Sequence, residues 1–398
     1  MKKEKEQKPL TKKRKVWRAI GWATPTVLAI ICMQVFKHFP SIVETVFSKG
    51  ISHFFNSTLG YLISWIPFSL TEALIIVALL SIVFLVGSLL VSFIRFLFSL
   101  IFHKVEKEEE TEEEKAKSKA ETFAAMRFIG WFVGSVYLFY VVAFGLNSYR
   151  YPAAQLCDLE YTSYTSEQLY DLCCELADRG STIRAHLKED EKGCMTFKES
   201  LSHTLAHAGD GYKTLDDRYP FLSNPVTRVK PVLLSHWWSY TGIEGVYFPI
   251  FMESNVNIDI PDYAIPASAA HELSHLRGFA KEDECNFFGC LSCFENPSKD
   301  YQYSGYAIAY VYCANQLYSQ DEKLWLKAEE HLSDGMMRDY ISYNTYWEQY
   351  QGTFQDVSLS INDSLIKNRG VEDGSKSYDR VVDLLMMSYL KNQLFPAE

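Results

Sequence analysis

Three runs of the chain are almost free of charge, and the stretch after them mixes apolar and polar positions at helical or strand spacing. Ala19 to Phe36 is about 18 residues long, close to the length that spans hydrocarbon. Ala73 to Phe93 is nearly unbroken Leu, Ile and Val, and Phe128 to Leu146 follows Arg127. A signal peptide has a shorter apolar core ending in small residues, and Met33-Gln34-Val35-Phe36 offers no such cleavage site. The pattern therefore predicts transmembrane helices over 19–36, 73–93 and 128–146, inside a membrane region 19–146. Lys37 to Ser69 is aromatic-rich and weakly polar, which places it at the outer interface rather than in a re-entrant channel. Glu106 to Glu121 mixes Glu with Lys and predicts a solvated loop or short charged helix.

Residues 147–398 read as one largely helical domain of about 250 residues. Ser166–Arg179, Lys198–Ala208, Lys281–Phe294, Tyr303–Leu317, Glu322–Ser333, Met336–Tyr350 and Tyr378–Leu394 carry helical patterns. Val229–Leu234 and Gly245–Phe251 read as strands. Pro266 suits the first turn of a helix and Gly278 the position just past its end, giving about three turns between them.

Lys and Arg crowd the N-terminal flank 1–18 and the loop 95–127, but Lys37 and Lys49 are alone between Lys37 and Ser69. That bias predicts a cytoplasmic N-terminus and an extracytoplasmic domain 147–398. The 15% aromatic content fits a chain that contacts a lipid bilayer. A net charge of -10 gives no electrostatic basis for binding nucleic acid.

Chemistry concentrates at His271-Glu272-Leu273-Ser274-His275. Two histidines four apart lie about 40° apart round a helix, so both rings face one way. The adjacent Glu272 stands where a general base flanks a metal held by that pair. A hydrolytic zinc needs a third protein ligand. After a turn at Gly278, Glu282 falls at the start of the next helix. Glu284 lies about 200° further round, so the two cannot both face the metal.

Glu282-Asp283-Glu284-Cys285-Asn286 resembles the Glu-x-x-Ala-Asp/Asn element of gluzincin peptidases, such as the CAAX prenyl endopeptidases and their bacterial heat-shock relatives. The resemblance implies Glu282 as the third ligand. Cys285 departs from the usual Ala, Asn286 from the commoner Asp, and the spacing from His275 is short. That spacing resembles metzincins, yet Lys281 fills their third-ligand position and cannot ligate when protonated. Ile66–Ser69, Gly245–Pro249, Glu253–Asn257, Tyr303–Tyr306, Asn362–Lys367 and Ser377–Val382 together are similar to an uncharacterised bacterial family. Its members have three spans and an extracytoplasmic His-Glu-x-x-His domain.

The resemblance implies an α-helical anchor of three transmembrane helices in the bacterial plasma membrane, plus a mostly α, α+β zincin-like domain. One Zn²⁺ held by His271, His275 and Glu282 would lower the pKa of its water, with Glu272 as the base, to cleave a protein or peptide. Gly245 to Asn257 is the expected substrate-binding strand. Tyr303, Tyr306 or Asn257 is expected to donate to the oxyanion. The alternative is a membrane-tethered sensor or binding protein with a structural or inactive zinc site. Glu272 discriminates, because a structural site has no use for an acid there.

The pair His203 and His207 lacks an adjacent Glu and reads as surface histidines. Eight of the nine cysteines lie beyond residue 147, which permits disulfides, buried thiols or a structural zinc at Cys290-x-x-Cys293.

Overall fold

A computed structural model describes residues 20–102, 111–368 and 380–396. The basic flank 1–18, the middle of the charged loop and the Ser377–Asp379 motif lie outside the described residues. The chain is mostly helical and divides into two compact units, Met1–His38 with Leu74–Val142, and Phe39–Ala73 with Ala143–Glu398.

The first unit is built on apolar helices. Leu70–Phe98 and Glu112–Ala143 are long and apolar enough to cross a membrane, and Gly21–Phe36 adds a third if it counts as one span with Pro40–Ser64, which belongs to the second unit. Leu80, Val83 and Phe84 are exposed along the first of these, a surface that points to membrane association. Gly130 and Gly134, one turn apart, allow close packing: a Cβ there would fall 2.6 Å from Trp22 and 2.5 Å from Thr26. The first apolar helix ends at Phe36, as the sequence predicts, but only Thr24–Phe36 is α-helical and it passes as a span only with Pro40–Ser64, from which it bends by 115°. The described part of the charged run is helical and continues straight into Glu112–Ala143.

The second unit holds a three-stranded sheet, β1 (Lys230–Val232), β2 (Gly245–Phe248) and β3 (Glu253–Asn257), in the order β1-β3-β2. β1 runs parallel to β3 with Lys230 opposite Asn255, and β2 runs antiparallel with Gly245 opposite Val256. The single strand expected over 245–257 is thus a hairpin. Pro249 cannot donate to a ladder, and Met252 completes the reversal at φ 51. Helices Ile265–Leu276, Glu282–Glu295, Lys299–Gln320 and Ser166–Arg184 pack around a core that includes Leu169, Leu273, Phe279, Phe287 and Phe288. Thr165 and Gln168 close a capping box at the start of Ser166–Arg184. Thr353–Asn368 is a further helix that the sequence pattern did not predict.

Phe39–Ala73 also belongs to this unit, together with Ala143–Glu398. The reason is a buried polar stripe, Glu44, Ser48, Ser52 and Asn56, spaced four apart along Pro40–Ser64. Arg150 donates to both Glu44 oxygens at 2.9 Å, and Ser48 and Ser52 bind Asn147. Phe54, Leu62 and Trp65 on this segment are exposed instead. At the end of the segment, Glu253 of β3 accepts from the Leu70 and Thr71 N–H groups at 3.1 and 2.9 Å, and from Lys230 at 2.6 Å. Unpaired N–H groups of a helix's first turn favour a carboxylate there. Glu72 in turn accepts from the Leu233 and Leu234 N–H groups.

Candidate metal centre

The helix Ile265–Leu276 carries the motif, with Pro266 in its first turn, where a missing N–H costs nothing. Gly278 ends it at φ +85: its N–H bonds to the His275 carbonyl, and that of Phe279 to the Ser274 carbonyl. This reversal needs a left-handed residue and turns the chain back on the helix. Arg150 fixes the turn by donating to the Gly278 carbonyl at 3.0 Å.

The turn brings Glu282 against the two histidines. Its Oε2 lies 3.2 Å from His271 Nε2 and 3.5 Å from His275 Nε2. Ligands 2.0–2.1 Å from a tetrahedral ion stand about 3.3 Å apart, so one ion fits these atoms. Both rings are oriented for it. His271 Nδ1 is 2.7 Å from the Asn286 side-chain oxygen and His275 Nδ1 is 2.8 Å from the Phe279 carbonyl. Each acceptor fixes the proton on Nδ1 and turns the Nε2 lone pair toward Glu282. Among the described residues this is the one converging group of three ligand-type side chains.

Without an ion, protons balance the charge. Burial pushes the Glu282 carboxyl up, but His275 and His271 outweigh it and hold it well below the ordinary range. Burial disfavours the His271 cation, yet the hydrogen bond it donates to Glu282 and the nearby Glu272 raise it to about 9. Glu284 points elsewhere, accepting from the Ala153 N–H at 3.0 Å.

Glu272 is buried beside this group. Burial, opposed by His271 and His275, pushes its carboxyl up to about 7. The Tyr247 N–H bonds to the carboxylate, and its Oε2 has no hydrogen-bond partner among the described residues. Gly245 makes room for it, since a Cβ there would fall 2.5 Å from Oε1. A carboxylate poised near neutrality, with one oxygen free, can take a proton from a water.

A cleft of about 640 Å³ opens onto these side chains. Glu244, Gly245, Val246 and Tyr247, at and just before edge strand β2, form one wall, and Tyr312 lies on another. The expected oxyanion donors do not line it. Tyr303 is buried and donates to Asp339 at 2.5 Å, Tyr306 stacks on Phe294, and Asn257 donates to Ser239 at 2.8 Å. Tyr312 was missed because it is nine residues from Tyr303, about two and a half turns, and so faces the other way on the same helix.

Cys285 Sγ lies 3.2 Å from His275 Nδ1, and all nine cysteines are free thiols. The His203 and His207 rings sit 4.3 Å apart, with His207 bonded to Asp210 on the surface.

A family model described as "Protein of unknown function (DUF3810)" matches residues 47–386. The chain belongs to this family. No curated protein and no solved structure matches it. The DUF3810 match begins within Pro40–Ser64 and ends within Val381–Leu390, so it takes in the polar stripe from Ser48 onward and every residue of the candidate centre.

Proposed function

We propose that this DUF3810 protein is a membrane-anchored zinc metallopeptidase with its catalytic unit outside the bacterial plasma membrane. The observation that carries the reading is the free Glu272 oxygen, buried beside three ligand atoms at zinc-like spacing. His271, His275 and Glu282 would hold the ion, which supplies Lewis acidity and an acidified water. Glu272 would accept a proton from the attacking water and return it to the leaving amine. The Tyr312 hydroxyl, which has no hydrogen-bond partner among the described residues, donates to the carbonyl oxygen as charge develops. Edge strand β2 aligns the peptide by β-addition.

Zinc analysis of the purified full-length protein, with cleavage of a denatured fluorogenic protein, tests the reading. One zinc per chain is expected, chelator should abolish cleavage, and Glu272→Gln should keep the zinc and lose activity. Zinc without cleavage of a broad peptide library would instead support the sensor or binding role.

A further inference from the structure

The cleft contains a fixed carboxylate that the peptidase chemistry does not use. Glu244 directly precedes β2 and lines the cleft with Glu272 and Glu282. Ser268 donates to its Oε2 at 2.5 Å, and the Tyr343 hydroxyl donates to Oε1. Two donors on different helices therefore hold it in one orientation. No Lys or Arg pairs with it among the described residues, and none lines the cleft. Its immediate surroundings are aromatic: Tyr263, Tyr312 and Tyr343 all line the cleft. After burial, the Glu244 charge is the next influence raising the Tyr263 and Tyr343 hydroxyls, and for Tyr312 it follows burial and Cys290.

The charges in the cleft do not cancel. A divalent ion at the proposed centre would offset Glu282 and Glu272, leaving Glu244 uncompensated in a partly dehydrated, tyrosine-walled space. An unpaired carboxylate in such a setting favours a cation, and aromatic faces add to that preference. Its position relative to the reacting atoms is also defined. Ser268 lies four residues before Glu272, so its bond to Glu244 sits about 6 Å along the helix from the general base. Extended peptide advances about 3.3 Å per residue, which puts Glu244 within reach of a group one or two residues from the scissile bond.

We propose that Glu244 forms a subsite for a cationic group of the peptide substrate, an ammonium or guanidinium close to the bond that is cut. This rests on the peptidase reading for its context, but binding can be measured without turnover. The probes are C-terminally fluorescein-labelled dodecapeptides of Ala and Ser. Three are N-acetylated with central Arg, Lys or citrulline, and a fourth carries citrulline and a free N-terminus. Each is titrated by anisotropy against full-length Glu272→Gln protein in detergent with zinc.

The Arg and Lys peptides should bind about tenfold or more tightly than acetylated citrulline, the scale of one charge-assisted contact. Adding Glu244→Gln should level the series. Tighter binding of the free-amine peptide alone identifies the cation as the substrate's N-terminus, with the same dependence on Glu244. Equal binding of all four probes, including no binding, overturns the subsite, as does a cation preference that survives Glu244→Gln. Cleavage by the parent protein is scored separately. Activity without discrimination between Arg and citrulline defeats the subsite and leaves the peptidase, whereas cation-selective binding without cleavage of any peptide does the reverse.

Discussion

Tyr247 donates its hydroxyl to the Asn56 side-chain oxygen at 2.6 Å, joining residues 191 positions apart. Its ring lies nearly parallel to that of His275, with centroids 6.3 Å apart, and its N–H reaches Glu272. A residue on the bent N-terminal segment thus supports the strand that holds Glu272. Asn56→Ala leaves the buried Tyr247 hydroxyl with only the Met252 sulfur, 3.1 Å away. The expected cost is about 1–3 kcal/mol, seen as a lower thermal midpoint. Tyr247→Phe in the same background should recover most of it, and an unchanged midpoint for Asn56→Ala would show that the bond contributes nothing.

Arg150 and Glu44 are both buried, and the same guanidinium holds the Gly278 turn. Glu44→Gln strands a buried cation and should destabilise the fold by about 3–5 kcal/mol. The double substitution Glu44→Gln with Arg150→Met should be milder than Glu44→Gln alone. Denaturant titration of the three proteins distinguishes a paired contribution from independent ones.

If the centre holds zinc as proposed, carboxylates two residues apart should behave differently. Glu282→Gln should lose the metal, while Glu284→Gln should retain it, since Glu284 bonds to Ala153. Asn286→Ala removes the acceptor that orients His271 and should weaken zinc binding by about 10–100-fold in a chelator competition. Equal zinc content in the two Gln variants would remove Glu282 from the ligand set.

Burial pushes the Glu253 carboxyl up, but Lys230 and the Thr71 N–H and hydroxyl outweigh it and hold it below its ordinary 4.5. A carboxyl lowered by folding adds stability above its unfolded value, and that stability is lost as pH falls through the folded value. The difference in unfolding midpoint between the parent and Glu253→Gln should therefore be constant near neutrality and shrink below about pH 4.5. A difference that grows on acidification would contradict the assigned direction.

The long helices and the site helix were legible because each is written locally. Apolar runs announce the former, and Pro266, the histidine spacing and Gly278 bound the latter. Glu282 needed one reversal that Gly278 signals. What escaped reading depends on partners distant in sequence. The stripe Glu44, Ser48, Ser52, Asn56 is polar on an otherwise apolar segment, so it resembles an exposed face until Arg150 and Tyr247 are known to cover it. The tyrosines show a different failure: the pattern located the Lys299–Gln320 helix, but Tyr303 and Tyr312 occupy opposite sides of it, and only packing decides which side meets the cleft. The Gly245–Asn257 hairpin resembles one strand because only its first arm, with Val246, Tyr247 and Phe248, is rich in strand-forming residues, whereas Glu253–Asn257 is mostly polar.

The unit bearing the candidate centre is discontinuous, with residues 74–142 inserted between Phe39–Ala73 and the rest. During synthesis the polar stripe emerges first and must wait for two long apolar helices to be made before Asn147 and Arg150 exist. Tyr247 arrives about a hundred residues later still, roughly ten seconds at ordinary elongation rates. Contacts so far apart in sequence close slowly. Glu44 and Asn56 would therefore remain unpartnered on the nascent chain, a natural point for a chaperone or an insertion factor to act. Residues 147–398 expressed alone would lack this first-made piece altogether, and should misassemble rather than fold as a trimmed unit.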